Sequence, residues 1–442
     1  MTTISLAKRQ AASRSAKTRN LISALFNSGS LLLIATMFVL GTVIALASDI
    51  PVRNVMENFS FEVIVIVVVM EMMTNLIAET GIMQLIAIKI AEFSHGQKRL
   101  CLIMFGVMMF LISSCLNNIT AVMMILPVVF VLLKTLEVDR RYVYGFFATI
   151  LALSNTGGAA SPVGDFPAII IMTSGITDFL SYLTHAFPLF TLTSAALLAI
   201  WGVCVKREPE DGTIRLLAVR NLHSQYKNIE VRFDVLKWLG VIFVCMFLAW
   251  SFVPQNTIPP EIIAVLGYAA AMMVCSIKGI KVQQSMDLKS VLTIASFLFF
   301  AEVISQTGIL NAIALFLQSN ISNPKLLVVA IMVITSLVAG IFSAGPAAAA
   351  MMPIIVNLCN GPLGAQADWI AIAYAASICA GSSLFMWSAT AGFILSGKVN
   401  RAGIEDEHSG KVSWGVSQYL KYGFTNYVVQ LSIALLVMLV VL

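Results

Sequence analysis

The chain reads as an all-α polytopic membrane protein, an inverted-repeat transporter with two re-entrant hairpins and two broken helices. Three observations predict this. Hydrophobic residues make up 59% of the sequence and charged residues only 11%, about half the charge of a soluble domain. Many apolar runs are long enough for a bilayer core, which takes roughly 20 helical residues. One of them is broken in its middle by Ser154-Asn155-Thr156-Gly157-Gly158-Ala159-Ala160-Ser161-Pro162-Val163-Gly164-Asp165-Phe166-Pro167. Hydrocarbon cannot satisfy the backbone groups that such a break releases, so it survives only beside a polar cavity or inside protein. Broken helices at mid-membrane depth are how secondary transporters build ion and substrate sites.

The elements follow in order from apolar length and loop charge, because basic residues collect in cytoplasmic loops. Residues 1–20 form a basic cytoplasmic N-terminus (Lys8, Arg9, Arg14, Lys17, Arg19), and 21–60 hold a first membrane helix, 21–47, with its outer loop. The run to Ala47 is too long for a signal core, so the helix is read as retained. Residues 61–78 return, and 80–93 form an amphipathic helix at the inner surface with Gln84, Lys89 and Glu92 on its polar stripe. Basic loops 94–100 and 134–141 are both inside. The 33 residues between them, 101–133, are too few for two crossings, which predicts a re-entrant hairpin tipped by Asn117-Asn118. The loop 206–237 is basic as well, so 142–205 must cross an even number of times. Segment 184–205 is one crossing, and 142–177 is the other, broken at the glycine motif.

Residues 61–205 are thus a first repeat, and 238–289 a linking pair of helices, 238–253 and 261–277, ending in the inner basic loop of Lys278, Lys281 and Lys289. Residues 290–442 form the second, inverted repeat. In it, 290–306 goes out, 308–320 lies on the outer surface, and 326–360 is a hairpin tipped by Ser343-Ala344-Gly345-Pro346. Segment 369–397 crosses inward, broken at Cys379-Ala380-Gly381-Ser382-Ser383, and 420–442 leaves the C-terminus outside. Thr80-Gly81-Ile82 matches Thr307-Gly308-Ile309 at an offset of 227, Pro127 matches Pro353 at 226, and Gly157 matches Gly381 at 224. Paired breaks in inverted halves point to an alternating-access site.

At the tips and breaks, helix N-termini offer partial positive charge and C-termini offer free carbonyls. Asn117, Asn118 and Thr120, with those carbonyls, can replace the water shell of a small cation such as Na+. The alternative for Asn117-Asn118 is a helix cap. Asn155, Thr156, Gly157, Gly158 and Ser161 line the first break, Gly381, Ser382 and Ser383 the second, and Ser343 and Gly345 the second tip. Their amides and hydroxyls suit an oxyanion or steady the unwound backbone. Asp165 is the candidate proton carrier or cation ligand, because a carboxylate within the membrane is usually functional. Glu71 ranks next, while Glu79 and Glu302 read as structural. The seven cysteines and four histidines form no ligand cluster, and no phosphate-binding glycine loop is present. No cofactor, enzymatic chemistry or nucleic-acid partner is expected; the partners are the lipid bilayer and a small ion, with H+ or Na+ as coupling ion.

Glu79-Thr80-Gly81-Ile82, the tip Leu116-Asn117-Asn118-Ile119-Thr120 with Pro127, the stretch 154–167 and its partner at 379–390 resemble the ion transporter superfamily. The similar branch holds arsenite permeases, NhaD-type sodium/proton antiporters and the P protein, with citrate transporters more distant. The resemblance spans most of 61–442 and implies a scaffold, a moving transport part and a homodimer. Asn117 stands where cation-exchanging members have aspartate, Phe166 and Ala168 replace a proline and an asparagine, and the second tip lacks Asn or Asp. The reading is therefore a multi-pass carrier of the inner (plasma) membrane, moving an anion or oxyanion of the arsenite or citrate type. Sodium/proton exchange is the alternative, and a passive channel a weaker one.

Overall fold

In the computed structural model the described residues are 34–442 except 137, 206–216, 218, 223, 225–229, 281–287, 322, 362–363 and 407–409. The basic N-terminus, the start of the first helix, Lys281 and most of the basic residues of loop 206–237 lie outside the described residues. The chain divides into two units, 1–60 with 287–310, and 61–286 with 311–442.

The smaller unit holds α1 (Ile34–Ala47), α2 (Val52–Glu57) and α12 (Leu288–Gln306). Within it, Phe38 and Phe299 meet at 5.4 Å between ring centroids.

In the larger unit the first half runs α3 (Phe61–Glu79), α4 (Ile82–Phe93), α5 (Lys98–Ser113), α6 (Asn118–Thr135), α7 (Arg140–Ala159), α8 (Phe166–Thr173) and α9 (Phe179–Cys204). The linking pair is α10 (Phe233–Phe252) and α11 (Pro260–Ile277). After α13 (Ile309–Asn320), which spans the division between the units, come α14 (Pro324–Phe342), α15 (Ala344–Cys359), α16 (Ala367–Ser382), α17 (Gly392–Ala402) and α18 (Val416–Val441). A two-residue hairpin, β1 (Glu405–Asp406) and β2 (Gly410–Lys411), lies before α18 and was not anticipated.

Seven described helices, α3, α6, α9, α10, α11, α14 and α18, are long and apolar enough to cross a bilayer. The protein is an all-α polytopic membrane protein.

Asx residues set where helices begin. Asn117, Asp139, Asp165, Asp178 and Asn323 each accept a backbone N–H at the start of α6, α7, α8, α9 and α14. Each satisfies a donor that has no partner within its own helix.

Two expectations need correction. The first hairpin is longer than 101–133, because Lys98 and Arg99 join the first turn of α5 and α6 runs on to Thr135. At 1.5 Å per residue its arms reach about 24 and 27 Å, and α6 alone has the length of a span. The breaks also sit later than the glycines suggested. Gly157 and Gly158 are still helical and the interruption is 160–165; Gly381 and Ser382 are likewise helical and the second interruption is 383–391. These glycines serve close packing rather than unwinding.

Loop contacts join segments that the charge pattern placed on one side. The Arg232 amide donates to the Thr80 carbonyl at 3.0 Å, and its guanidinium to the Lys278 carbonyl at 2.9 Å. Tyr142 donates to the Lys98 carbonyl, Tyr144 to that of Ser413, and Tyr422 to that of Arg141. At the ends read as outer, Thr177 donates to Asp368 at 2.6 Å, and Lys325 to the Leu439 carbonyl at 3.1 Å.

Local constructions recur in the two halves. Gly81 and Gly308 adopt φ of +76° and +78°, left-handed values that suit glycine. The preceding threonines each donate to the carbonyl three residues back at 2.6 Å, Thr80 to Ile77 and Thr307 to Ile304, an offset of 227.

Candidate ion and substrate site

The site starts with a helix that must come close to a hairpin. A Cβ on Gly157 would overlap the Phe110 carbonyl and stand 2.9 Å from Ser113 Cβ. One on Gly381 would overlap the Ser336 carbonyl and stand 2.8 Å from Ala339 Cβ. The contacted residues correspond, since 336 − 110 = 226 and 339 − 113 = 226. In each half a glycine near the end of a helix lets the last turns of the neighbouring hairpin arm lie against it.

The next glycine brings polar groups together. A Cβ on Gly158 would lie 2.7 Å from Asn118 Oδ1 and 2.9 Å from Asp165 Cβ. In the space it leaves, Ser113 donates to Asn118 Oδ1 at 2.7 Å, and Asn118 Nδ2 donates to Asp165 Oδ2 at 2.9 Å. The Phe166 amide donates to Asp165 Oδ1 at 2.9 Å, so the carboxylate also caps α8. Ser113 and Asn118 are buried and Asp165 is half-buried. The hairpin tip thus holds the only carboxylate of the first break in a chain of three polar side chains.

The second break has its own network. Asn155 Nδ2 lies 3.3 Å from both Ser382 Oγ and Ser383 Oγ. Gln430 of α18 donates to Ser383 Oγ at 3.0 Å, and the Cys379 thiol donates to Gln430 Oε1 at 3.4 Å. Asn155, Asp165, Tyr182, Ala344, Cys379 and Ser382 border one cavity of about 10 Å³ whose lining includes no Lys, Arg or His. That is room for about one water or bare monatomic ion.

Breaks expose carbonyls, and a tyrosine answers each. Tyr182 donates to the Ala159 carbonyl at 2.9 Å, and Tyr419 donates to the Ser383 carbonyl at 2.8 Å. Each is the fourth residue of the second helix after its break, Tyr182 in α9 and Tyr419 in α18. Tyr182→Phe or Tyr419→Phe leaves a buried carbonyl without its partner, and each is expected to cost about 1–3 kcal/mol, measured as a lowered melting temperature in detergent.

The remaining candidates divide. Asn117 caps α6, its Oδ1 accepting from the Ile119 and Thr120 amides at 3.0 and 3.4 Å. Thr120 sits in that first turn and is not among the cavity-lining residues. Thr156 pairs with Ser194 at 2.8 Å, and Ser161 donates to the Ser114 carbonyl. Glu71 is buried within α3. Ser343 alone joins α14 to α15, at φ 90° and ψ 160°, a conformation found almost only in glycine that costs about 1–3 kcal/mol. It starts α15 without a side-chain cap. A Cβ on Gly345 would be 3.7 Å from the Phe166 ring, so the start of α15 approaches the start of α8.

Reading the sequence missed Ser113, Tyr182, Cys379, Tyr419 and Gln430. The tyrosines could have been found by aligning the helices after the breaks. Asn426 and Gln430, four apart on one face of an apolar span, are polar residues at membrane depth and a signal in themselves.

Interrupted helices, buried polar breaks and, among the described residues, seven span-length helices are features of a membrane transporter. The chain belongs to the citrate transporter family, whose model matches residues 22–379 and 246–442. An uncharacterized transporter of Mycobacterium tuberculosis H37Rv is 24% identical over 352 residues, covering 78% of this chain and 80% of that protein. The magnetosome protein MamN of Magnetospirillum gryphiswaldense is 24% identical over 401 residues, covering 86% and 88%. The human P protein is 23% identical over 491 residues, covering 93% of this chain and 56% of its own. These relatives fall in the ion transporter superfamily.

Proposed function

We propose that the protein is a secondary carrier, not an enzyme or a channel, that moves a small anion or oxyanion by alternating access, coupled to H+ or Na+. The observation that carries this reading is the Asn118–Asp165 hydrogen bond, 2.9 Å long, between a hairpin tip and a helix break. Asp165 takes the coupling cation, with Asn118 and nearby carbonyls completing its shell. The uncapped start of α15, with Ser382, Ser383 and Asn155, takes the anion through amides and hydroxyls, as helix N-termini do. A cavity of about 10 Å³ suits the cation alone, so an anion the size of citrate enters a more open state. The family name supports a carboxylate such as citrate as cargo, and the recurring glycine contacts and TGI turns support duplicated halves of opposed orientation. The basic loops support a multi-pass protein of the inner (plasma) membrane with its N-terminus in the cytoplasm and its C-terminus outside.

A second reading, sodium/proton exchange, draws on the absence of a basic side chain from the cavity lining. Reconstitution in liposomes separates the two. Citrate or arsenite uptake driven by an imposed proton or sodium gradient is expected. Sodium flux against a proton gradient, with neither anion moving, would favour exchange.

Within this reading the neighbouring asparagines behave differently. Asn118→Ala removes a side chain that completes the ion's shell and is expected to weaken coupling-ion affinity by roughly 10- to 100-fold, since contacts to charged groups contribute about 1.5–3 kcal/mol. Asn117→Ala loses a helix cap, about 1 kcal/mol of stability, and keeps that affinity. Equal affinities in both variants would remove Asn118 from the site.

A further inference from the structure

We propose that a second cavity, apart from the helix breaks, binds the headgroup of a phosphate-bearing anionic lipid. It measures about 420 Å³ and opens between α5, α7, α9 and α18. Lys98, Arg141 and Lys421 stand around it, with Tyr142, Trp201 and Tyr422 among its walls. One acid, Asp139, also lines it, but its Oδ1 accepts the Tyr142 amide at 2.7 Å as the cap of α7. Among the described residues no carboxylate forms an ion pair with Arg141 or Lys421. Arg141 and Lys421, set against one carboxylate that caps its own helix, leave the mouth electropositive.

The walls are already built. Trp201 Nε1 donates to Asn426 Oδ1 at 2.8 Å, Tyr422 donates to the Arg141 carbonyl at 3.2 Å, and Tyr142 to the Lys98 carbonyl at 2.7 Å. The Trp201 and Tyr422 rings meet at 5.1 Å. A preformed basic mouth loses little entropy when an anion enters.

The surroundings select a lipid over a soluble anion. Helices α9 and α18 are both of span length and apolar. Beside the cavity they present Val203, 73% exposed, Phe424, 58%, and Ile200, 36%. Acyl chains can lie along this apolar surface while the phosphate sits among the basic residues. Basic pockets between membrane helices at the cytoplasmic side are suited to such headgroups.

The test uses the full-length protein purified in detergent, titrated with phosphatidylglycerol or cardiolipin, phosphatidylcholine, or inorganic phosphate. Melting temperature and native mass spectrometry are read together. The anionic lipids should raise the melting temperature and remain bound. In the double variant Arg141→Ala, Lys421→Ala their affinity should fall roughly thirtyfold, about 2 kcal/mol for two interfacial charges. The charge-preserving pair Arg141→Lys, Lys421→Arg should stay near the unaltered value. Equal stabilisation by phosphatidylcholine or by inorganic phosphate would overturn the proposal, as would an unchanged affinity in the double alanine variant. If that variant fails to fold, the headgroup comparison on the unaltered protein decides.

Discussion

Replacing Asp165 with asparagine is expected to leave the protein folded and to abolish its response to the coupling ion. The substitution isolates charge from structure. Asparagine is as good a helix cap as aspartate, so the Phe166 amide keeps its acceptor and α8 keeps its start. The amide nitrogen then stands where Asp165 Oδ2 accepts from Asn118 Nδ2 at 2.9 Å, so Asn118 has to turn its amide over, its Oδ1 accepting from the new NH2 and its Nδ2 donating to the Ser113 hydroxyl. What disappears is the negative charge that a cation or proton would meet. Hydrogen bonds and ion contacts to charged groups contribute about 1.5–3 kcal/mol, so coupling-ion affinity should fall by roughly 10- to 100-fold. In liposomes, uptake by the variant should lose its dependence on the imposed proton or sodium gradient while its melting temperature stays within a few degrees. Gradient-dependent uptake equal to that of the unaltered protein would show that Asp165 is only a cap.

A methyl group at position 158 is expected to do comparable damage by sterics alone. Gly158→Ala places a Cβ 2.7 Å from Asn118 Oδ1, 2.8 Å from Asn118 Nδ2 and 2.9 Å from Asp165 Cβ. Something must move, and two of these atoms belong to the pair that the proposed mechanism needs in register. Overpacking of this kind costs about 1–3 kcal/mol. The expected result is a lowered melting temperature together with transport loss at least as large as that of Asn118→Ala. Gly397→Ala is the control. It lies in α17, where an added Cβ would meet open space, and alanine favours a helix by up to about 1 kcal/mol over glycine. It should be neutral or slightly stabilising. If Gly158→Ala also proves neutral, the close approach of tip and break is not required for transport.

Much of this architecture was legible in the residues. Apolar length found α3, α9, α10, α11 and α18 within a few positions, because a span has to be apolar over its whole length. The paired motifs located both hairpin turns and both breaks, since Gly, Pro, Asn and Asp cluster where backbone leaves the helix. Placing the breaks within those motifs was harder. Gly157 and Gly381 looked like helix breakers, yet they remain helical because the Phe110 and Ser336 carbonyls occupy the space of their missing side chains. That is a property of a partner helix distant in sequence, invisible to local pattern. The hairpin is longer than its charge pattern suggests for a different reason: Lys98 and Arg99 read as loop by charge, yet charged residues fit readily in the first turn of a helix at the membrane surface.

The site was legible in part. Asp165 and Asn118 stood out as polar groups in apolar surroundings, and the fold brings them into contact. Asn117 and Thr120 are adjacent to Asn118 in sequence, but successive residues at a helix start point in different directions, and Asn117 turns to its own helix. Gln430 and Tyr419 lay far along the chain in a span that seemed ordinary, and only folding sets them against Ser383.

The proposal that both tips face a centre reached alternately from the two sides is tested most directly by cysteine accessibility. Asn117→Cys and Ala344→Cys, each made in a variant without the native cysteines and reconstituted with known orientation, would be labelled by a membrane-impermeant thiol reagent from each side in turn. The account predicts that each position reacts from both sides and that transported ion or substrate slows both reactions. Full reaction of position 117 from one side only and of position 344 from the other only, indifferent to substrate, would contradict it.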